Sequence, residues 1–180
     1  MTSNWHQDNQ NALAHFPELS EIFEHLPNYQ VVNEGLQRGG QPTERGFEIL
    51  KEEGIKTIIN LRDNLNEGSD HLAAEEALIK RFGFNYHSLA ISPFAFPTNE
   101  LIHQAISIIT DESKQPVFVH CLHGQDRTGM LVGIYRMVVE EWNLQDAYCE
   151  MLAMGFHPGF DNLKTTAESY HGKKMPLHEI

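Results

Sequence analysis

From Thr43 onward the chain alternates between short β-branched apolar runs and longer amphipathic stretches. "TERGFEILKEEG" offers Thr43 as an N-cap and Gly54 as a stop, which predicts a helix between them. "IKTIINLR" is apolar and β-branched and predicts a strand. "SDHLAAEEALIKRFG" predicts a helix started by Ser69 or Asp70 and ended by Gly83. "NYHSLAI" predicts the next strand. "TNELIHQAISIITDES" predicts a helix whose apolar stripe runs through Leu101, Ala105 and Ile109, with Ile102 and Ile106 beside it. "PVFVHC" reads as a strand, and "RTGMLVGIYRMVVEEW" as a helix apolar almost all round and therefore buried. "LQDAYCEMLAMG" and "DNLKTTAESY" close the series as helices.

Upstream, "YQVVNEGLQRGGQPT" predicts two short strands, with Gly39 and Gly40 permitting a tight turn. Residues 1–28 read as a polar extension with one short helix near "ELSEIFEHL". Residues 29–172 form the expected domain and 173–180 a tail. Strands alternating with helices imply an α/β fold: a central, mostly parallel sheet of four to five strands flanked by helices. In such sheets ligands bind beyond the carboxyl ends of the strands. Cys121 stands at one of those ends.

Composition adds exclusions. A length of 180 residues with 41% hydrophobic and 21% charged residues suits one globular domain. The net charge of −12 argues against nucleic acid as a partner, so an anionic substrate needs a local positive pocket. No apolar run is long enough to span a membrane, and the N-terminal segment lacks the apolar stretch of a leader. A cytoplasmic location is expected, or an exported one if a leader has been removed. Two cysteines, Cys121 and Cys149, make no disulfide framework, and the eleven histidines show no metal-ligand spacing. Neither metal nor other cofactor is expected.

The chemistry concentrates in "HCLHGQDRTG", residues 120–129. A short loop between a buried strand and a buried helix, with Gly124 at its middle, curls so that successive N–H groups form an anion cradle. Leu122, His123, Gly124, Gln125, Asp126 and Arg127 are the expected phosphate-binding residues. A thiolate is stabilised at a helix N-terminus, which makes Cys121 a candidate nucleophile, with His120 and Thr128 in support. Arg127 brings a planar fork that matches two phosphoryl oxygens. A chance Cys–Arg spacing around an inert core cysteine is the bland alternative; the strand, the glycine and the Arg-Thr-Gly helix start weigh against it.

This stretch resembles the signature loop of the protein tyrosine phosphatase superfamily, especially its small dual-specificity and atypical bacterial members. "RGGQPT", "GIKTIINLR" and "YRMVVEEWNLQDAYCEM" are similar to that family too, so the resemblance covers roughly residues 29–157. It implies a two-step hydrolysis through a cysteinyl-phosphate, with Cys121 as nucleophile, Arg127 as clamp, residues 122–127 as cradle and Thr128 supporting the thiolate. It also implies a general acid, often an aspartate on a separate loop. Here that loop, "LAISPFAFPTNE", holds no aspartate. Asp126 is the first candidate acid, since myotubularin-like lipid phosphatases also place an aspartate before this arginine. A role in orienting backbone groups or Arg127 stands equal to it. Asp63 is the second candidate; Glu100, Asp70 and water follow. Arg62 is either a substrate contact or an ion-pair partner of Asp63 or Asp70, and His123 faces solvent or substrate. Phe94 and Phe96 are either an apolar wall or loop packing, and Cys149 is expected in the core.

The expected function is metal-independent phosphomonoester hydrolysis. The expected substrates are phosphotyrosine or dual-specificity protein substrates, or phosphorylated inositols. The alternative is a phosphate-binding module with little turnover. Arsenate reduction or sulfur transfer is weaker still, because small reductases of that kind carry the loop near the N-terminus.

Overall fold

The computed structural model describes residues 17–68 and 70–177. Its elements run α1 (Pro17–His25), β1 (Gln30–Asn33), β2 (Leu36–Gly39), α2 (Glu44–Glu52), β3 (Thr57–Asn60), α3 (Asn64–Glu67), α4 (Asp70–Phe82), β4 (Asn85–Ser88), α5 (Asn99–Thr110), β5 (Val117–His120), α6 (Asp126–Val138), α7 (Leu144–Ala153) and α8 (Asp161–Glu168). The sheet has five strands in the order β1-β2-β5-β3-β4. Only the β1–β2 pair is antiparallel; β2–β5, β5–β3 and β3–β4 are parallel. The expected α/β architecture is thus the observed one. The chain reverses direction at β1, and the three interior strands, β2, β5 and β3, are buried along their whole length.

Local chemistry sets the helix boundaries. The Thr43 hydroxyl accepts from Gly46 N and caps α2, and Gly54 after it adopts φ +82°, as the sequence signals. The Thr98 hydroxyl accepts from Leu101 N and caps α5. Gly83 ends α4 at φ +71°. Ser69, one expected start of α4, lies outside the described residues, and the helix begins at Asp70.

Two apolar layers sandwich the sheet. On one face α5, α6, α7 and α8 pack around Val117, Val119, Ile59 and Leu36. Every residue of α6 from Arg127 to Val138 is buried, as its all-round apolar pattern requires. On the other face Leu26, Phe47, Leu50, Ile58, Phe84 and Phe118 form a second cluster around α2.

Three expectations change. Residues 17–28 are not an outlying extension. Leu26 is fully buried in the second cluster and Asn28 reaches the signature loop, so this segment completes the domain. In the expected tail, Leu177 packs against the first cluster and Met175 N donates to Val138 O at 3.3 Å. Cys149 is exposed on α7 rather than buried in the core. Among the described residues, no helix is long and apolar enough to cross a membrane.

The register prepares the site. Gly39 on β2 and Asn60 on β3 both pair with His120 on β5. The three strands therefore end level. The segments that follow them, beginning at Gly40, Leu61 and Cys121, lie together beyond the carboxyl ends of the strands.

Candidate active site

Cys121 leaves the end of β5 with only 2% of its surface exposed, and five residues later Asp126 opens α6. The loop between them is fixed from behind through its carbonyls. Gln41 N donates to Leu122 O at 2.9 Å. Gly124 O accepts from Arg38 Nη2 at 2.7 Å and from Asn28 Nδ2 at 2.9 Å. Between Leu122 and Thr128, no main-chain N–H donates to a backbone carbonyl among the described residues. Carbonyls turned toward the scaffold and N–H groups without acceptors are what an anion cradle requires.

The glycines explain how the loop comes so close to β2. Gly124 has φ +71°, and a Cβ there would stand 2.3 Å from the Gly39 carbonyl carbon. A Cβ on Gly40 would stand 2.9 Å from Leu122 O. Gly39 and Gly40, expected to make a tight turn, instead provide the flat backbone against which the loop lies. Neither has a positive φ.

Arg38 is the buried prop of this assembly, only 1% exposed. Burial lowers its pKa to about 10, which leaves it charged at neutral pH, and its Nε has no partner among the described residues.

Arg127 does lie in the first turn of α6, but its fork is occupied. Nη1 and Nη2 donate to the two carboxylate oxygens of Glu67 at 2.9 and 3.0 Å. Arg62 Nε stands 3.6 Å from the same carboxylate, and Asp63 N donates to it at 2.9 Å. Burial raises the Glu67 pKa, but the Arg127 hydrogen bonds and charge outweigh it and hold the carboxyl at about 2. Burial likewise lowers the Arg127 pKa, and Glu67 together with the Cys121 charge reverses this to a net rise. The sequence reading missed Glu67. Its helix, α3, is four residues long, too short for any periodic signal.

Other expected residues fall into two groups. Arg62 is buried and donates to Gln41 Oε1 at 2.9 Å, and its ion pair is with Glu67 rather than with the expected Asp63 or Asp70. His123 is exposed on the loop. The Thr128 hydroxyl is buried without a partner among the described residues. Arg62 thus touches the Glu67–Arg127 charges, and the Thr128 hydroxyl is uncommitted.

The second group is committed elsewhere. The His120 ring, fully buried, bonds Glu75 Oε1 at 3.1 Å through Nε2, and its Nδ1 stands 3.2 Å from Cys121 O. Glu75 also accepts from Gln41 at 2.7 Å. Burial raises the Glu75 pKa, and the His120 charge and hydrogen bond overcome this and lower it. Asp126 faces the α7–α8 connection, where it accepts from His157 N at 2.8 Å and lies 3.0 Å from the ring Nδ1. Asp63 caps α3, accepting from Leu65 N at 2.9 Å and from the Asn66 amide. Asp70 opens α4 at the surface, and Glu100 sits in the first turn of α5, where its own backbone N–H and Thr98 lower its pKa. Phe94 and Phe96 are 74% and 66% exposed on a loop pinned by Asn162 Nδ2 to Pro93 O and Ala95 O.

Comparison with known proteins agrees with this architecture. The family model described as "DSP-PTPase phosphatase fused to NAD+ Kinase" matches residues 13–169. A candidate tyrosine-protein phosphatase of Mycosarcoma maydis, OCA1, is 32% identical over 120 residues, covering 66% of this chain and 73% of that protein. The inositol diphosphatase DSP4 of Arabidopsis thaliana is 30% identical over 130 residues, covering 72% of this chain and 65% of that protein. The core catalytic domain of the PP-IP phosphatase SIW14 from S. cerevisiae superposes with a TM-score of 0.71 at 23% identity, over 81% of this chain and 86% of that one, a likeness of fold. The chain belongs to the DSP-PTPase phosphatase family described as fused to NAD+ kinase, within the protein tyrosine phosphatase superfamily.

Proposed function

We propose that this chain hydrolyses phosphomonoesters through a cysteinyl-phosphate on Cys121, without metal or other cofactor. The observation that carries the reading is the loop from Leu122 to Arg127. Its carbonyls are tied back to Gln41, Arg38 and Asn28, and its N–H groups find no backbone acceptor among the described residues. A phosphoryl group seated there meets N–H groups, the positive end of α6 and, directly below, the Cys121 sulfur. The Cys121 thiolate attacks phosphorus in line, and Arg127 stabilises the charge that spreads over the equatorial oxygens. The Thr128 hydroxyl, buried without a hydrogen-bond partner among the described residues, supports the sulfur as it becomes the leaving group in the second step.

The substrate class is phosphotyrosine and dual-specificity protein substrates or phosphorylated inositols. Relatives named for each stand at similar identity. Arg127 and Arg62 supply the local positive charge that a protein of net charge −12 needs for either. Two free cysteines suit a reducing compartment, which supports a cytoplasmic location.

The deciding experiment is phosphate release across phosphotyrosine peptide, phosphoserine peptide, phosphoinositides and soluble inositol polyphosphates, with Cys121→Ser as control. Cys121→Ser should retain phosphate binding and lose turnover. Residual turnover above about a hundredth of wild type removes Cys121 as nucleophile.

A second reading, a phosphate-binding module with little turnover, draws on two contacts. Glu67 fills the Arg127 fork and Asp126 is held by His157. Phosphate binding without hydrolysis of even an activated aryl phosphate would select it.

A further inference from the structure

The loop that commonly carries the acid has no aspartate, Asp126 is bonded to His157, and Asp63 caps α3. One carboxylate touches Arg127 itself, that of Glu67. We propose that Glu67 is the proton donor to the leaving group, held inactive by Arg127 until an arriving phosphoryl group takes the guanidinium away from it. This rests on the phosphatase reading above.

The geometry makes the exchange a substitution of like for like. The two Glu67 oxygens occupy the fork of Arg127 as two phosphoryl oxygens would. Both cannot hold it at once, so binding displaces the carboxylate while leaving it at the rim of the pocket. The helix that carries Glu67 is built to move: α3 buries none of its residues, Leu65 is 95% exposed, and Gly68 follows at φ +78°. Polar contacts hold the turn down: Asp63 N and Arg127 on Glu67, and Asn66 reaching Ser92 Oγ at 3.4 Å.

Displacement also changes the charge around Glu67. In the structure Arg127 from α6, Arg62 after β3, the Asp63 main-chain N–H and His71 from α4 face it. Arg127, which contacts both oxygens, is the dominant partner keeping the carboxyl near 2. Once the fork turns to phosphate, the carboxyl loses this cation and faces an anion, and both changes favour the protonated form. Solvent supplies the first proton.

The Cys121 thiolate then forms an S–P bond as the P–O bond to the leaving group breaks. The freed electron pair stays on the leaving oxygen, which takes the Glu67 proton. In the second step a water attacks phosphorus and passes its proton to the Glu67 carboxylate. The S–P bond breaks, the pair returns to sulfur, and inorganic phosphate departs with Glu67 again protonated.

The test compares wild type, Glu67→Gln, Glu67→Asp and Asp126→Asn on p-nitrophenyl phosphate, whose leaving group needs no proton, and on an alkyl phosphate, whose leaving group does. Glu67→Gln should cut kcat on the alkyl ester by about 100-fold or more. Its loss on the aryl ester should be at least about tenfold smaller. Glu67→Asp should recover part of the alkyl activity, and the basic limb of the alkyl pH–rate profile should vanish in Glu67→Gln. Equal losses on both esters overturn the assignment. So does a selective loss in Asp126→Asn alone, or a Glu67→Gln variant that merely binds both esters more tightly. Should Glu67→Gln fail to fold, wild-type kcat across a series of leaving groups decides: a steep dependence on leaving-group pKa overturns it. If wild type fails to cleave p-nitrophenyl phosphate, the phosphatase reading itself falls and takes this inference with it.

Discussion

Arg38 Nη2 donates to Gly124 O at 2.7 Å, so a side chain from the sheet interior sets the height of the signature loop. This arginine has almost no access to water, and burial already costs it part of its basicity. Its stabilising return is the hydrogen bond to Gly124, and a charged hydrogen bond is worth about 1.5–3 kcal/mol. Arg38→Met should therefore act on the shape of the loop more than on the stability of the fold. If the whole of that energy is spent on shape, kcat/KM falls about 10- to 100-fold. A phosphate-binding titration beside thermal unfolding checks this; a loss of Tm without a loss of phosphate affinity would make Arg38 a packing residue only.

Gly124 and Gly54 share a left-handed backbone yet stand in opposite surroundings. A Cβ at Gly54, φ +82°, meets nothing within 4 Å, whereas one at Gly124 meets the Gly39 and Gly40 backbone at 2.3–2.5 Å. Gly54→Ala pays only the backbone strain, about 1–2 kcal/mol. Gly124→Ala must in addition push the loop off β2, so phosphate binding and turnover should disappear with it. Urea unfolding and phosphate titration of the two variants side by side measure the difference.

How much of this was legible in the sequence follows from the range of each interaction. Thr43, Gly54, Thr98 and Gly83 act on residues a turn away, and they end their helices where the pattern indicates. The all-apolar face of α6 and the β-branched β3 and β5 likewise report their own burial. Cys121 and Arg127 are close in sequence, and the loop between them carries its signal within itself. By contrast, Glu67 meets Arg127 from sixty residues away, Arg38 meets Gly124 from 86, and Asn28 from 96. Nothing local marks those partners: the four residues of α3 are too few for a periodic pattern, and the burial of Arg38 on β2 comes from contacts far away in the chain. His120 misleads for the same reason, since its partner Glu75 is 45 residues away on α4.

The His120–Glu75 pair is a buried link with a stability signature. Both side chains are almost without solvent, and Glu75 holds the Gln41 amide as well, which in turn accepts from Arg62. Removing the carboxylate strands a buried imidazole and a buried amide together. Glu75→Ala should cost about 3–5 kcal/mol in urea unfolding, and Glu75→Gln, which keeps an acceptor for one of the two and turns a donor toward the other, less. Similar losses for the two would show that the site needs both carboxylate oxygens.

The Glu67–Arg127 pair makes stability depend on pH in a defined window. Glu67 has its folded pKa depressed from 4.5 to about 2. A depressed carboxylate stabilises the fold fully above its unfolded pKa, and that contribution is lost as pH falls from about 4.5 toward 2, because the unfolded chain takes up the proton first. Wild type should therefore be more stable than Glu67→Gln above about pH 5.5, and the gap should close as the pH approaches 2. Added salt should narrow the gap at neutral pH, since the carboxylate is not fully enclosed. Urea unfolding of both proteins across pH 2–7 is the measurement, with other carboxylates cancelling in the difference. A gap that persists undiminished at pH 2 would mean that Glu67 holds Arg127 by shape and hydrogen bonding, leaving no charge for a phosphoryl group to displace.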